Sequence, residues 1–212
     1  MSRFGTPRRW GVFALGFTSL IAGIALAITA DVGVGSWQVF ETGLVEATGA
    51  SFGVVVFVEA TIAIALAWGW LGEPPWIATG IFAVAGVGIG ALLDALSTPD
   101  LFAARLAMLL VGVTLIAVGV AFYLAAELGP SAQDALFVGF YRKYEVRPGL
   151  VRLGLDGSLL VAGAALGGQL GLGTVVVTLL VPALIEPALR AGHRLADTPL
   201  PAALIARSAP TV

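Results

Sequence analysis

Apolar residues run along this chain in long blocks, not in the alternating or one-turn rhythm of half-buried strands and helices. Trp10 to Ala30, Pro74 to Leu93 and Leu106 to Ala126 hold no charged residue, and each matches the roughly 20 residues that carry a helix across a hydrocarbon core. A fourth block, Phe52 to Leu71, is apolar except for Glu59. The block from Gly157 to Ile185 is too long for one crossing, and the glycine-rich turn at residues 167–173 divides it in two. The first of these two crossings must begin near Gly149 to reach spanning length, which draws Arg152 and Asp156 into or beside the membrane. The pattern predicts an all-α bundle of six membrane-crossing helices.

Composition narrows the class further. Of 212 residues, 58% are hydrophobic and only 11% charged, too few charges to cover a water-soluble domain of this size. The solvent for most of the chain is therefore lipid. A formal net charge of -2 and a single lysine, Lys143, speak against nucleic acid as a partner. With no cysteine and one histidine, His193, the chain lacks the ligands for thiol chemistry or a histidine metal cluster, and no cofactor is expected.

Basic residues give the expected topology, because Lys and Arg collect in short cytoplasmic loops. Arg3, Arg8 and Arg9 precede the first span. Arg142, Lys143, Arg147 and Arg152 lie before or at the mouth of the fifth, and Arg190, Arg194 and Arg207 follow the sixth. With both termini inside, ten of the eleven basic residues are cytoplasmic and only Arg105 dissents. Ala25-Leu26-Ala27 resembles a signal cleavage site, but the preceding apolar stretch is long for a signal and no soluble domain follows it. The tail at 196–212, with Pro199, Pro201 and Pro210, reads as a disordered cytoplasmic end.

Sliding the chain along itself by 96 residues lays Ala30–Leu44 onto Ala126–Phe140 without a gap. Asp31 then meets Glu127, Gly33 meets Gly129, and Gly43 meets Gly139. With one residue of slippage Glu59 meets Asp156, and Thr79 meets Thr174. The expected organisation is a first three-helix repeat over 1–98 and a second over 99–195. An odd number of crossings per copy inverts the second relative to the first, an architecture recurrent in secondary transporters. Short half-helices are expected after the first and fourth spans.

The stretches Asp31–Gln38, Glu127–Pro130 with Asp134, Arg152 followed by Asp156, and Gly167–Thr174 together resemble the YitT/YczE-like family of bacterial integral membrane proteins. The resemblance covers about Gly11 to Glu186. It implies a multi-pass protein of the bacterial cytoplasmic membrane and names no general substrate. Two positions depart from the family pattern: Gln38 stands where members often carry Asp, and Asp156 replaces a commoner Glu.

An ionisable side chain within a bilayer costs at least about 2.5 kcal/mol at the centre and is a functional candidate by default. Arg152, one turn before Asp156, supplies a partner on the same helix face, or equally a structural ion pair anchoring that helix. Glu59 has no basic residue within a turn, so it must be protonated, hydrated or matched from another helix. A buried neutral carboxyl would suit proton coupling, or simply hold helices together by hydrogen bonds. Ser131 to Asp134 read as a capping box opening a helix too short to span, a half-helix of the kind that aims its positive end at a transport site. Gln133 lies within it, and Gly33, Gly35 and Ser36 open its counterpart, followed by Trp37 and Gln38. Trp37 reads as an interfacial anchor ahead of a ligand-stacking group. The pairs Gly86/Gly90 and Gly163/Gly167 have the small-xxx-small spacing of close helix seams and leave room for a homodimer. Pro182 is expected to kink the last helix.

No nucleophile triad, nucleotide-binding loop or HExxH motif is present, and the 167–174 turn lacks the lysine of a phosphate-binding loop. An enzyme is not expected. The reading is a small-solute permease or exporter working by alternating access, with Glu59, Asp156 and Arg152 as its polar centre. Trp37, Gln38, Ser131, Gln133, Asp134, Thr79 and Thr174 would line the solute or ion pathway. The alternative is a noncatalytic membrane accessory protein that steadies a partner complex. A transporter needs a polar cavity reaching Glu59 or Asp156; an accessory protein needs a solid core and an apolar outer groove.

Overall fold

The computed structural model describes residues 5–146 and 148–199. The tail from residue 200 and the basic residues Arg3, Arg147 and Arg207 lie outside them. The described residues are helical, with no strand among them: α1 (Pro7–Ala30), α2 (Ser36–Thr48), α3 (Phe52–Gly69), α4 (Ile77–Ala83), α5 (Ala85–Ala95), α6 (Phe102–Ala126), α7 (Ala132–Tyr144), α8 (Pro148–Ala165) and α9 (Leu172–Ala196). Five stretches are long and apolar enough to cross a membrane: α1, α3, Ile77–Ala95 taken as one, α6 and α9. α8 has the same 18 residues as α3 but carries Arg152 and Asp156, and it is not among the five. The third expected crossing is broken at Val84 into α4 and α5, whereas α9 continues through both Pro182 and Pro187.

Large apolar side chains face outward all along the bundle. Val54, Phe57 and Ile62 on α3, Leu153 and Val161 on α8, and Val175 and Leu179 on α9 are exposed, a surface that water would not tolerate but lipid does. Trp68, Trp70 and Trp76 are exposed together around the α3–α4 connection, the place of amphipathic rings at a membrane boundary.

Small residues fill the interior instead. α1 and α6 run antiparallel so closely that a Cβ on Gly23 would stand 2.7 Å from the Gly112 carbonyl oxygen, and one on Gly119 2.8 Å from that of Gly16. Lipid supplies no hydrophobic drive between helices, so association relies on such close backbone approach. Ser19 at mid-seam donates to the Leu115 carbonyl at 2.9 Å. Reciprocal clasps close both ends. Arg9 pairs with Glu127 and donates to the Ala126 carbonyl, while Arg105 pairs with Asp31 and donates to the Ala30 carbonyl. Arg105, the exception to the charge rule, is thus an end clasp. Asp31 and Glu127 themselves are the left-handed caps that end α1 and α6.

The short helices cross over. α2 packs on α8, where a Cβ on Gly43 would meet the Gly163 carbonyl oxygen at 2.6 Å; α7 packs on α3, where one on Gly139 would meet Leu71 Cβ at 2.7 Å. α5 lies on α1 and α3, and α9 on α6. Gly33 and Gly129, with φ of +113° and +121°, make the turns that lead into α2 and α7, a backbone state open to glycine and costly for other residues.

Candidate functional site

The crossed short helices bring three elements together around Glu59. On α3, Glu59 is half-buried among apolar neighbours. Gln133, in the first turn of α7, aims its amide at Glu59 Oε1, with Nε2 at 3.4 Å. From the other side comes Glu41 of α2, only 3% exposed, with its carboxyl beside that of Glu59. Neither Glu41 Oε2 nor Glu59 Oε2 has a hydrogen-bond partner. A hydrogen bond between two carboxyls requires a proton on one of them, because two carboxylates offer only acceptors. The polar group that matches Glu59 is therefore a second acid and an amide, not a base.

Asp156 on α8 is treated differently. Its Oδ2 lies 3.3 Å from Nε of Arg152, one turn earlier, and its Oδ1 accepts from the indole N–H of Trp37 at 3.0 Å. The Arg152 side chain is 64% exposed and lies over the Phe137 ring at 5.4 Å. Phe137 in turn meets Trp37 edge to face, the ring centroids 6.3 Å apart. Trp37 therefore points inward as a donor to Asp156, not outward as an interfacial anchor. One turn along α2 from Trp37 is Glu41, and one turn along α7 from Gln133 is Phe137. A continuous set thus runs from Arg152 and Asp156, through Trp37 and Phe137, to Gln133, Glu41 and Glu59.

Other expected pathway residues fall outside this set. Ser131 caps α7 by accepting from the Asp134 N–H at 3.1 Å, and Asp134 Oδ2 accepts from the hydroxyls of Ser131 and Tyr123, which occupies both in holding the helix start. Thr79 Oγ1 accepts from the Trp76 N–H and donates to the Pro130 carbonyl; Thr174 Oγ1 accepts from the Gly171 N–H. Both threonines are buried helix-start residues. Gln38 is half-buried beside Gly35. Two cavities are formed elsewhere. One, about 620 Å³, is an outer groove between α3 and α5 lined by Phe52, Val54, Phe57, Gly86, Gly90 and Asp94. The other, about 340 Å³, lies among Arg8, Arg9, Glu127 and Asp197. Neither is lined by Glu59 or Asp156. Among the described residues no group of three metal-ligating side chains comes together.

Glu41 escaped the sequence reading because α2 lies outside the charge-free blocks, where an acid costs nothing until another helix covers it. Two signals pointed to it. The 96-residue shift sets it opposite the apolar Phe137, and it stands one turn from Trp37 on the same helix face.

Residues 7–188 match the model of a family of unknown function, DUF6198. The chain belongs to that family. Two relatives of this DUF6198 member extend the likeness. An uncharacterized membrane protein, YczE, of Bacillus subtilis is 29% identical over 189 residues, covering 81% of each chain. An uncharacterized protein of Haemophilus influenzae is 27% identical over 180 residues, covering 82% of this chain and 79% of the relative. The YczE-like resemblance is thereby borne out, and with the apolar helices it makes this a multi-pass membrane protein in contact with a lipid bilayer. No solved structure matches the chain.

Proposed function

We propose that this DUF6198 member is a small-solute permease or exporter of the bacterial cytoplasmic membrane, built from two inverted halves, 1–98 and 99–195, and working by alternating access. The observation that carries the reading is the Glu41–Glu59–Gln133 group: buried acids in a membrane bundle, at the meeting of elements from both halves, where transporters of this architecture hold their sites. Support for the inverted repeat comes from the contacts around α1 and α6. Arg9–Glu127 and Arg105–Asp31 exchange roles under the 96-residue shift, as do Gly16–Gly119 and Gly23–Gly112. The halves also read in parallel by length, 24, 13 and 18 residues for α1, α2 and α3 against 25, 13 and 18 for α6, α7 and α8. α8 would then be the sixth crossing, with Trp37 covering Asp156 and Phe137 lying beneath the outward-facing Arg152.

Cytoplasmic termini fit the same reading. Arg8 donates to the Arg194 and Leu195 carbonyls, and Phe13 packs with Ala78 and Phe82 just beyond the exposed tryptophans, near which Arg142 pairs with Glu73. The basic ends of α1 and α9 thus meet, as the positive-inside tendency asks. No catalytic step is part of the proposal.

The test is reconstitution in liposomes with a pH-sensitive dye inside and a panel of solutes outside, comparing wild type with Glu59→Gln. Solute-dependent signal lost in the variant supports a permease; silence across the panel, with the variant behaving as wild type in cells, counts against it. One observation favours the alternative of an accessory protein: an apolar outer groove of about 620 Å³ lies between α3 and α5, and it does not reach the acids. Under that reading, bulky substitutions at Gly90 would abolish the cellular phenotype while Glu59→Gln would leave it intact.

A further inference from the structure

We infer that Glu41 and Glu59 form a proton-binding site, holding one proton between them in the closed state and giving it up when the site opens to water. The inference rests on the permease reading for its purpose, where the proton would drive the solute, but not for its chemistry. Three features of the geometry carry it. The two carboxyls lie side by side, and the hydrogen bond that could join them needs a hydrogen on one acid for the other to accept. Glu41 is 3% exposed, and a pair of bare carboxylates in so dry a place would repel strongly with nothing to screen them. The Oε2 atoms of both acids have no donor among the described residues, so a proton held between the acids, or water once the site opens, is what can satisfy them.

Among the described residues no neighbouring charge offers another way to neutralise the pair. On α2 the other acid, Glu46, is exposed near the C-terminal end. α7 presents Gln133 to the pair; its Asp134 is held by Ser131 and Tyr123, its Arg142 pairs with Glu73, and its Lys143 donates to the Trp70 carbonyl. The titratable groups of α8, Arg152 and Asp156, pair with each other. α4 has none, and α5 has only Asp94, in the outer groove. A metal cation is disfavoured too, since the Gln133 amide turns its N–H₂ donors, not its oxygen, toward Glu59. The step balances simply: the acid releases H⁺ to water, leaving two carboxylates, and closure takes one H⁺ back.

Infrared spectroscopy of the full chain in lipid nanodiscs, with no solute added, tests this. At neutral pH, where exposed carboxyls are ionised, the wild type should show a protonated carboxylic C=O band that shifts in D₂O. The Glu41→Gln/Glu59→Gln double variant should lose it, and Asp156→Asn should keep it. Absence of the band in the wild type, its persistence in the double variant, or its loss in Asp156→Asn overturns the assignment. So does disappearance of the band when sodium is raised at constant pH, which would make the pair a sodium site. Should the double variant not fold, Glu41→Asp keeps both acids but shortens one by a methylene, and the band must change frequency; an unchanged frequency is equally fatal. Because no solute is involved, a clear band alongside failed flux sinks the permease and spares the proton site. Flux without the band does the reverse.

Discussion

Glu59 and Asp156 sit within helices of equal length, and each receives a hydrogen bond from a short helix, α7 for Glu59 and α2 for Asp156. Their charges are nonetheless settled in opposite ways. Asp156 pairs with Arg152, with an indole N–H completing the shell. Glu59 meets Glu41 and an amide, an arrangement that a proton must hold together. The difference arises one turn along the short helices, where α2 carries Glu41 and α7 carries Phe137. Position in the fold decides which helix approaches a carboxylate. The residue one turn further along that helix decides what the carboxylate becomes.

The scaffold around the two acids should respond evenly, which sharpens the contrast. Gly23→Leu and Gly119→Leu, at related points of the α1–α6 seam, each drive a side chain into backbone. Both should lower stability by about 3 kcal/mol or more, with similar drops in the thermal midpoint in detergent; clearly unequal drops would break the equivalence of the two halves.

At the acids the responses should diverge. Glu59→Leu strands the buried Glu41 carboxyl and should cost about 1–3 kcal/mol, whereas Glu41→Leu/Glu59→Leu removes both partners and should cost less than either single change. A double variant as damaged as the sum of the singles would show that the two acids do not act as a pair. Trp37→Phe removes the donor to Asp156 but leaves Arg152, so about 1 kcal/mol is expected by chemical denaturation. Smallest of all, Arg152→Ala should cost less than about 1 kcal/mol and less still at high salt, because the guanidinium is largely solvent-accessible. An Arg152 loss larger than that of Glu59→Leu would reverse the ranking of the two sites.

Much of this fold was legible from its apolar blocks. The spans beginning near Trp10, Phe52 and Leu106 correspond to α1, α3 and α6, and the glycine turn at 167–173 does separate α8 from α9. Membrane helices announce themselves because lipid imposes one solvent on every exposed position. The short helices α2 and α7 were foreseen through Gly33 and Ser131, whose local geometry starts a helix whatever surrounds it. The inward turn of Trp37 and the burial of Glu41 were not foreseen, since both depend on α2 reaching across to α8 and α3, and pairing between distant helices leaves little trace in local pattern. The break at Val84 likewise interrupts an apolar run that shows no proline or charge at that point. The Gly16/Gly119 and Gly23/Gly112 seam was hidden by its seven-residue spacing along each helix, wider than the four-residue interval sought for close packing.

Arg9–Glu127 and Arg105–Asp31 fasten α1 to α6 at top and bottom, while α2 rides on α8 and α7 rides on α3. The fastened pair is thus flanked by two jaws, α2 with α8 and α7 with α3, each joining a helix from residues 1–98 to one from residues 99–195. Cutting the chain between residues 98 and 99 and expressing the fragments apart would leave neither with a complete jaw.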